Sequence, residues 1–180
     1  MRHAPDLLCA LARIHCAVSS GFCKTKKIRK NDNKEVLAIL QSFWGDNKIV
    51  IHNNIFDALS LDGLKAFDSN QILGICHFRI RKEECEVLTL ASLNPKQGIG
   101  TALITEVESI AKTCGCHLIC VTTTNDNLNA LGFYQKQGYQ LTALYSKQVD
   151  ISRQLKPEIP EIGYHGIPIR DELRLEKTLE

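Results

Sequence analysis

The chain is poor in several things that would point it elsewhere. Its formal net charge is only +2, far below the basic excess a sequence-blind nucleic-acid binder carries along one face, so no nucleic-acid partner is expected. The basic group Lys24, Lys26, Lys27, Arg29 and Lys30 reads as a solvated approach to a first strand. No apolar run nears the ~20 residues of a membrane span. The stretch from Leu7 to Val18, a faint imitation of a leader, follows Asp6 and is broken by Arg13 and His15. A cytoplasmic protein with no membrane partner is therefore expected. Metal-ligand spacing is missing as well, although there are eight cysteines. Cys114-x-Cys116 and Cys120 lack a matching pair. Cys76, Cys85 and Cys120 fall in strand-like runs, where reduced thiols pack as small apolar groups, and Cys9, Cys16 and Cys23 recur along one helical stripe. No metal is expected. There are no repeats or low-complexity segments, and 180 residues at 44% hydrophobic are enough to bury one core.

What the chain does have is concentrated between Glu84 and Tyr139. A run of strand formers, Glu86-Val87-Leu88-Thr89-Leu90-Ala91, is followed by the turn Gln97-Gly98-Ile99-Gly100-Thr101. After it Ile99, Leu103, Val107, Ile110 and Ala111 recur at helical spacing. A glycine turn that feeds a helix leaves free amides at the positive end of the helix dipole, an arrangement suited to phosphate. The turn has no Gly-Lys-Ser/Thr ending for a P-loop, and Leu103 stands where a dinucleotide fingerprint places its third glycine. A second strand, Leu118-Ile119-Cys120-Val121-Thr122-Thr123, leads through Asn125-Asp126-Asn127 to a short helix ending in Gln137-Gly138-Tyr139.

Two blocks in this order, Gln97-Gly98-Ile99-Gly100-Thr101-Ala102-Leu103 and Asn127-x-x-Ala130-x-x-x-Tyr134 running into Gly138-Tyr139, resemble the GNAT superfamily of acetyl-CoA-dependent N-acetyltransferases. The likeness runs from about Lys26 to the C-terminus. It departs at Pro95, where the family's glycine motif usually opens with Arg or Gln. The resemblance implies an α/β (α+β) fold, a mixed and mainly antiparallel sheet flanked by helices and splayed at the acetyl-CoA site. It implies acetyl-CoA as cosubstrate, its pyrophosphate on the amides of Gln97, Gly98, Ile99, Gly100 and Thr101. The pantetheine arm would lie along Leu88, Thr89, Leu90 and Ala91, with a contact to Asn127. Tyr134 matches the residue that gives a proton to the leaving sulfur, and Glu86 stands roughly where some members carry a catalytic carboxylate. Direct transfer to a primary amine of a small molecule or peptide follows; the alternative is an acyl-CoA-binding regulatory module without turnover. A homodimer is left open.

Glu84 and Glu86, two apart on a strand, project from one face with Cys85 opposite. Either could take an amine proton, Glu86 being favoured and Asp126 a further candidate. Cys85 has no recognisable histidine partner, and His77 reads as a packed or solvated strand residue and not as a catalyst. Residues 1–24 read as an extension carrying a short apolar helix with Leu7, Leu8, Leu11, Ala12 and Ile14, and residues 25–180 as the domain. Asn33 looks like a helix cap before an apolar face of Val36, Leu37, Ile39, Leu40 and Phe43. By the resemblance Phe43, Trp44 and Asp46 are acceptor neighbours, though core packing is expected of the two aromatics. Strands are expected near residues 26–29, 48–52, 64–67, 72–81, 84–93, 139–145 and 169–179, with a hairpin turn at Lys82-Glu83 and a helix at 147–155.

Overall fold

The computed structural model describes residues 23–69 and 71–180. The expected helix around Leu7 to Ile14, with Cys9 and Cys16, lies outside them. Helix α1 (Asn33–Trp44) buries Val36, Ile39 and Leu40, the i, i+3, i+4 stripe of an amphipathic helix. Phe43 does not complete that stripe. It is 41% exposed, its ring 5.6 Å from that of Trp44, so core packing holds for Trp44 alone. The helix ends at Gly45 (φ +83°).

Strand β1 (Lys24–Lys27) precedes α1, and β2 (Lys48–Ile51) and β3 (Asn54–Asp57) follow it as a separate hairpin. Then come β4 (Asp62–Asp68), β5 (Gln71–Arg81), β6 (Glu84–Ser92), α2 (Ile99–Thr113), β7 (Leu118–Thr124) and α3 (Leu128–Lys136). The chain closes with β8 (Gln140–Tyr145), α4 (Gln148–Leu155) and β9 (Glu172–Thr178). The main sheet has seven strands in the order β1-β4-β5-β6-β7-β9-β8. Every neighbouring pair is antiparallel except β6 and β7. That parallel step needs a crossover, and α2 supplies it.

The sheet is covered on both faces. On one, Ile99, Leu103, Val107 and Ile110 of α2 pack against Cys85, Val87, Ile119 and Val121. On the other, α1 and the β2–β3 hairpin bring Val36, Leu40, Ile49 and Ile51 onto Ile72, Ile75, Leu88 and Ala91. Cys76 and Cys85 are fully buried, and burial pushes both thiols well above the usual range, so they behave as apolar packing groups. His77 is 1% exposed; burial lowers its pKa to about 4 and keeps the ring neutral. No helix among the described residues is long and apolar enough to cross a membrane.

Candidate active site

The fork in the sheet is where the β6–α2–β7 unit opens. β6 and β7 pair only from Glu84–Leu118 to Val87–Val121. Beyond that point β6 follows β5 and β7 follows β9. Leu88, Thr89, Leu90 and Ala91 are therefore joined to the sheet on the β5 side only. A bulge marks the parting: pairing steps from Phe78–Val87 to His77–Thr89, leaving Leu88 as an extra residue. The His77 amide donates to the Thr89 hydroxyl at 3.0 Å, so that amide keeps a partner across the interruption. A bulge bends its strand and raises local twist, which turns β6 away from β7. The free edge is a template for another extended chain.

The turn from β6 into α2 lies at the end of that edge. Gly98 has φ +77°, a left-handed conformation in which a side chain is strained. Leu93 to Gly98 are exposed, and so is Thr101. The first helical bond runs from the Ala102 amide to the Gly98 carbonyl at 2.9 Å. Among the described residues the amides of Ile99, Gly100 and Thr101 have no acceptor, no side chain caps the helix, and its first turn holds no acidic residue. Such an end attracts an anion. Close packing fixes its position. A Cβ on Gly74 of β5 would lie 2.6 Å from the Ala91 carbonyl oxygen and 2.7 Å from Ile99 Cγ2, so only glycine lets α2 settle this close to the edge of β6.

Helix α3 closes the same region. A Cβ on Gly100 would stand 3.4 Å from Phe133 Cζ, and Gln137 Nε2 donates to Thr101 Oγ1 at 3.3 Å. Asn127 is the helix cap, its Oδ1 accepting the Ala130 amide at 3.1 Å. Tyr134 is 5% exposed and belongs to the α2-side cluster, edge-on to Phe133 and Tyr139. Glu108 takes up the hydroxyl of Tyr139 at 3.1 Å. That of Tyr134 has no partner among the described residues. Burial, with a smaller contribution from Cys76, raises its pKa, so the phenol stays protonated.

The match to known proteins decides what this arrangement belongs to. Residues 55–139 match the acetyltransferase (GNAT) family model. The uncharacterized protein YdhI of Bacillus subtilis is 44% identical over 138 residues, covering 76% of this chain and 86% of that protein. The chain belongs to the GNAT acetyltransferase family. An IAA acetyltransferase from Bacillus cereus shares the fold at a TM-score of 0.67 and 20% identity, over 87% of this chain and 99% of that one. A Bacillus subtilis acetyltransferase solved in complex with CoA superposes with a TM-score of 0.62 at 19% identity, over 88% and 99%.

On the face of the GNAT sheet opposite α2 and Tyr134, beside the apolar cluster under α1, lies a group of charged side chains. Glu86 lies there, 6% exposed, and Arg79 holds one of its oxygens: Nε donates to Oε2 at 2.6 Å and Nη2 approaches it at 2.5 Å. Arg79 itself stacks 4.4 Å from the Phe56 ring centroid. Glu84 points to the same side, as strand alternation requires, and accepts from Arg174 at 2.9 Å. Asp126 is buried with both oxygens taken, Oδ1 by Thr124 at 2.5 Å and Oδ2 by the Tyr164 amide at 2.9 Å. Asp46 is tied to Lys156 at 2.5 Å and to the Lys48 amide at 2.9 Å, which makes it a joint between elements.

Sequence reading passed over His52, at the turn between β2 and β3. Its Nδ1 lies 2.8 Å from Glu172 Oε2, its Nε2 is 3.4 Å from Thr122 Oγ1, and its ring packs 4.2 Å from that of Tyr145. Glu172 stands 120 positions further along the chain. No local pattern joins the two residues, and the single signal was a histidine at a strand end before two asparagines.

Proposed function

We propose that the protein is an acetyl-CoA-dependent N-acetyltransferase that passes acetyl directly to a primary amine in a ternary complex. One observation carries this reading: unpaired amides at the start of α2 sit against the unpaired edge of a forked β6, with helix α3, which carries Tyr134, packed on them through Phe133. The amides from Gln97 to Thr101 would hold the diphosphate, and the pantetheine arm would lie as an added strand along Leu88 to Ala91. Asn127 would touch the arm, and an amide near Leu90 would polarise the thioester carbonyl. Relatives of the same fold solved with CoA or acetyl-CoA support the choice of donor.

The amine nitrogen attacks the carbonyl carbon, the C–S bond breaks, and the departing sulfur takes a proton from Tyr134. The test is calorimetry with acetyl-CoA beside thiol release over a panel of primary amines. Binding together with thiol release for at least one amine is expected. Binding without release for any amine would favour a regulatory acyl-CoA module instead, and no binding at all would end the reading.

A separate prediction follows from the packing of α2. Gly74→Ala forces a methyl against the Ala91 carbonyl and Ile99, which should cost about 1–3 kcal/mol of stability. It should also lift α2 from β6 and weaken acetyl-CoA binding by about fivefold, on the order of 1 kcal/mol. Chemical unfolding and calorimetry on the same sample check both.

A further inference from the structure

We infer that His52 is the base that takes the proton from the attacking acceptor and that Glu172 is its positioning residue, an inference that rests on the acetyl-transfer reading above. Val121 is the last β7 residue paired with β6, so Thr122 is the first beyond the fork. Ile119 and Val121 belong to the cluster under α2. Alternation therefore turns Thr122 to the opposite face, and the His52 Nε2 beside it is on that face too. Tyr134 lies on the α2 side of the sheet and His52 on the other. A carbonyl carbon held in the gap would have an acid near its leaving sulfur and a base near its nucleophile.

The dyad is ordered for that task. Glu172 is 4% exposed; its Oε1 accepts from Ser152 at 3.1 Å and its Oε2 from the His52 amide at 3.2 Å. A carboxylate only accepts, so Nδ1 carries the proton in the 2.8 Å contact and Nε2 keeps its lone pair. Nε2 is otherwise met by one long contact to Thr122, and the side chain is 26% exposed, within reach of an acceptor. His52 is held at φ +46°, a left-handed conformation uncommon for a residue with a side chain and concentrated at functional sites. Glu86, by contrast, is committed to Arg79.

In the step itself the acceptor nitrogen bonds to the carbonyl carbon and gives its proton to His52 Nε2. The C–S bond then breaks as sulfur takes the Tyr134 proton. His52 returns its proton to solvent and Tyr134 regains one, so the protons balance. The groups in contact with His52 are Glu172 from β9, Tyr145 from β8 and Thr122 from β7; Ser152 from α4 holds the other oxygen of Glu172, and Arg174, opposite Thr122 on β9, is paired with Glu84 and Glu176.

The test uses the full chain, acetyl-CoA, and water as the probe acceptor, so that no amine titration enters. Thiol release is followed for wild type, His52→Gln, Glu172→Gln, Glu172→Asp and Glu86→Gln, with acetyl-CoA affinity measured beside it. His52→Gln should lose about tenfold or more in rate with affinity unchanged. Glu172→Gln should also lose rate with affinity unchanged, and Glu172→Asp, which keeps the carboxylate, should regain part of it, a rescue no purely structural role predicts. Should His52→Gln fail to bind acetyl-CoA, Glu172→Gln decides: a lost rate at unchanged affinity supports the dyad and an unchanged rate overturns it. Equal rates in wild type and His52→Gln, including both at the uncatalysed level, overturn it. So does loss of rate in Glu86→Gln while His52→Gln retains it. Failure of wild type to bind acetyl-CoA would instead remove the reading beneath it.

Discussion

Tyr134→Phe should lower turnover by about a hundredfold while leaving acetyl-CoA affinity within about twofold and stability within about 1 kcal/mol. The ring is kept, so its edge contacts with Phe133 and Tyr139 survive. The hydroxyl leaves no protein partner unpaired among the described residues, which is why folding should hardly notice its removal. What is lost is the hydrogen at the sulfur: without it the thiolate leaves unprotonated into a poorly solvated pocket. Burial raises the phenol's pKa, so any alkaline loss of activity from its ionisation should lie above the ordinary value of ~10. Steady-state kinetics with an amine found by the screen, beside calorimetry, separates the outcomes. Unchanged turnover would remove Tyr134 from the chemistry, and equal losses in turnover and affinity would make it a packing residue.

The parts of this site that could be read from sequence are those whose physics is local. A left-handed Gly98 before a periodic apolar helix predicts the turn, and the alternation around Cys85 places Glu84 and Glu86 on one face; the structure has both. Strand β3 escaped notice because Asn54-Ile55-Phe56-Asp57 offers two apolar residues and no alternation, and it exists through pairing with β2 across a turn with both φ values positive, 46° and 64°. The bulge at Leu88 is a matter of register, which alternation alone does not fix. Arg79 on Glu86 and Glu172 on His52 depend on how strands line up, and that decides which carboxylate is occupied and which orients a base. Phe43 sits at the right helical interval but one turn too late, which periodicity cannot reveal.

Lys156→Met should cost about 3 kcal/mol and lower the melting temperature by roughly 6–12 °C for a chain of this size. Lys156 is 8% exposed, and its ammonium uses all three donors: the carbonyls of Trp44 and Lys48 at 2.8 and 2.7 Å and Asp46 Oδ1 at 2.5 Å. It thereby ties the end of α4 to the C-terminus of α1 and the start of β2. Methionine keeps most of the stem's packing, so the loss reports on the charge and its bonds. Asp46, with a side chain 38% exposed, can rehydrate, which holds the cost at the low end for a broken ion pair. For Asp46, burial works to raise the carboxyl, but the hydrogen bond from Lys156 and that from the Lys48 amide outweigh it and hold the pKa below the usual value. Its contribution is therefore present above the ordinary carboxylate range and lost as pH falls through the lowered value. In the variant that pKa should rise, which NMR titration would detect, and part of the acid-induced loss of stability should vanish. Acetyl-CoA affinity should hold below the melting range, since the cradle belongs to the other face of the sheet. A stability change under about 1 kcal/mol, with the Asp46 titration unmoved, would show that the three bonds are replaced by water at no cost.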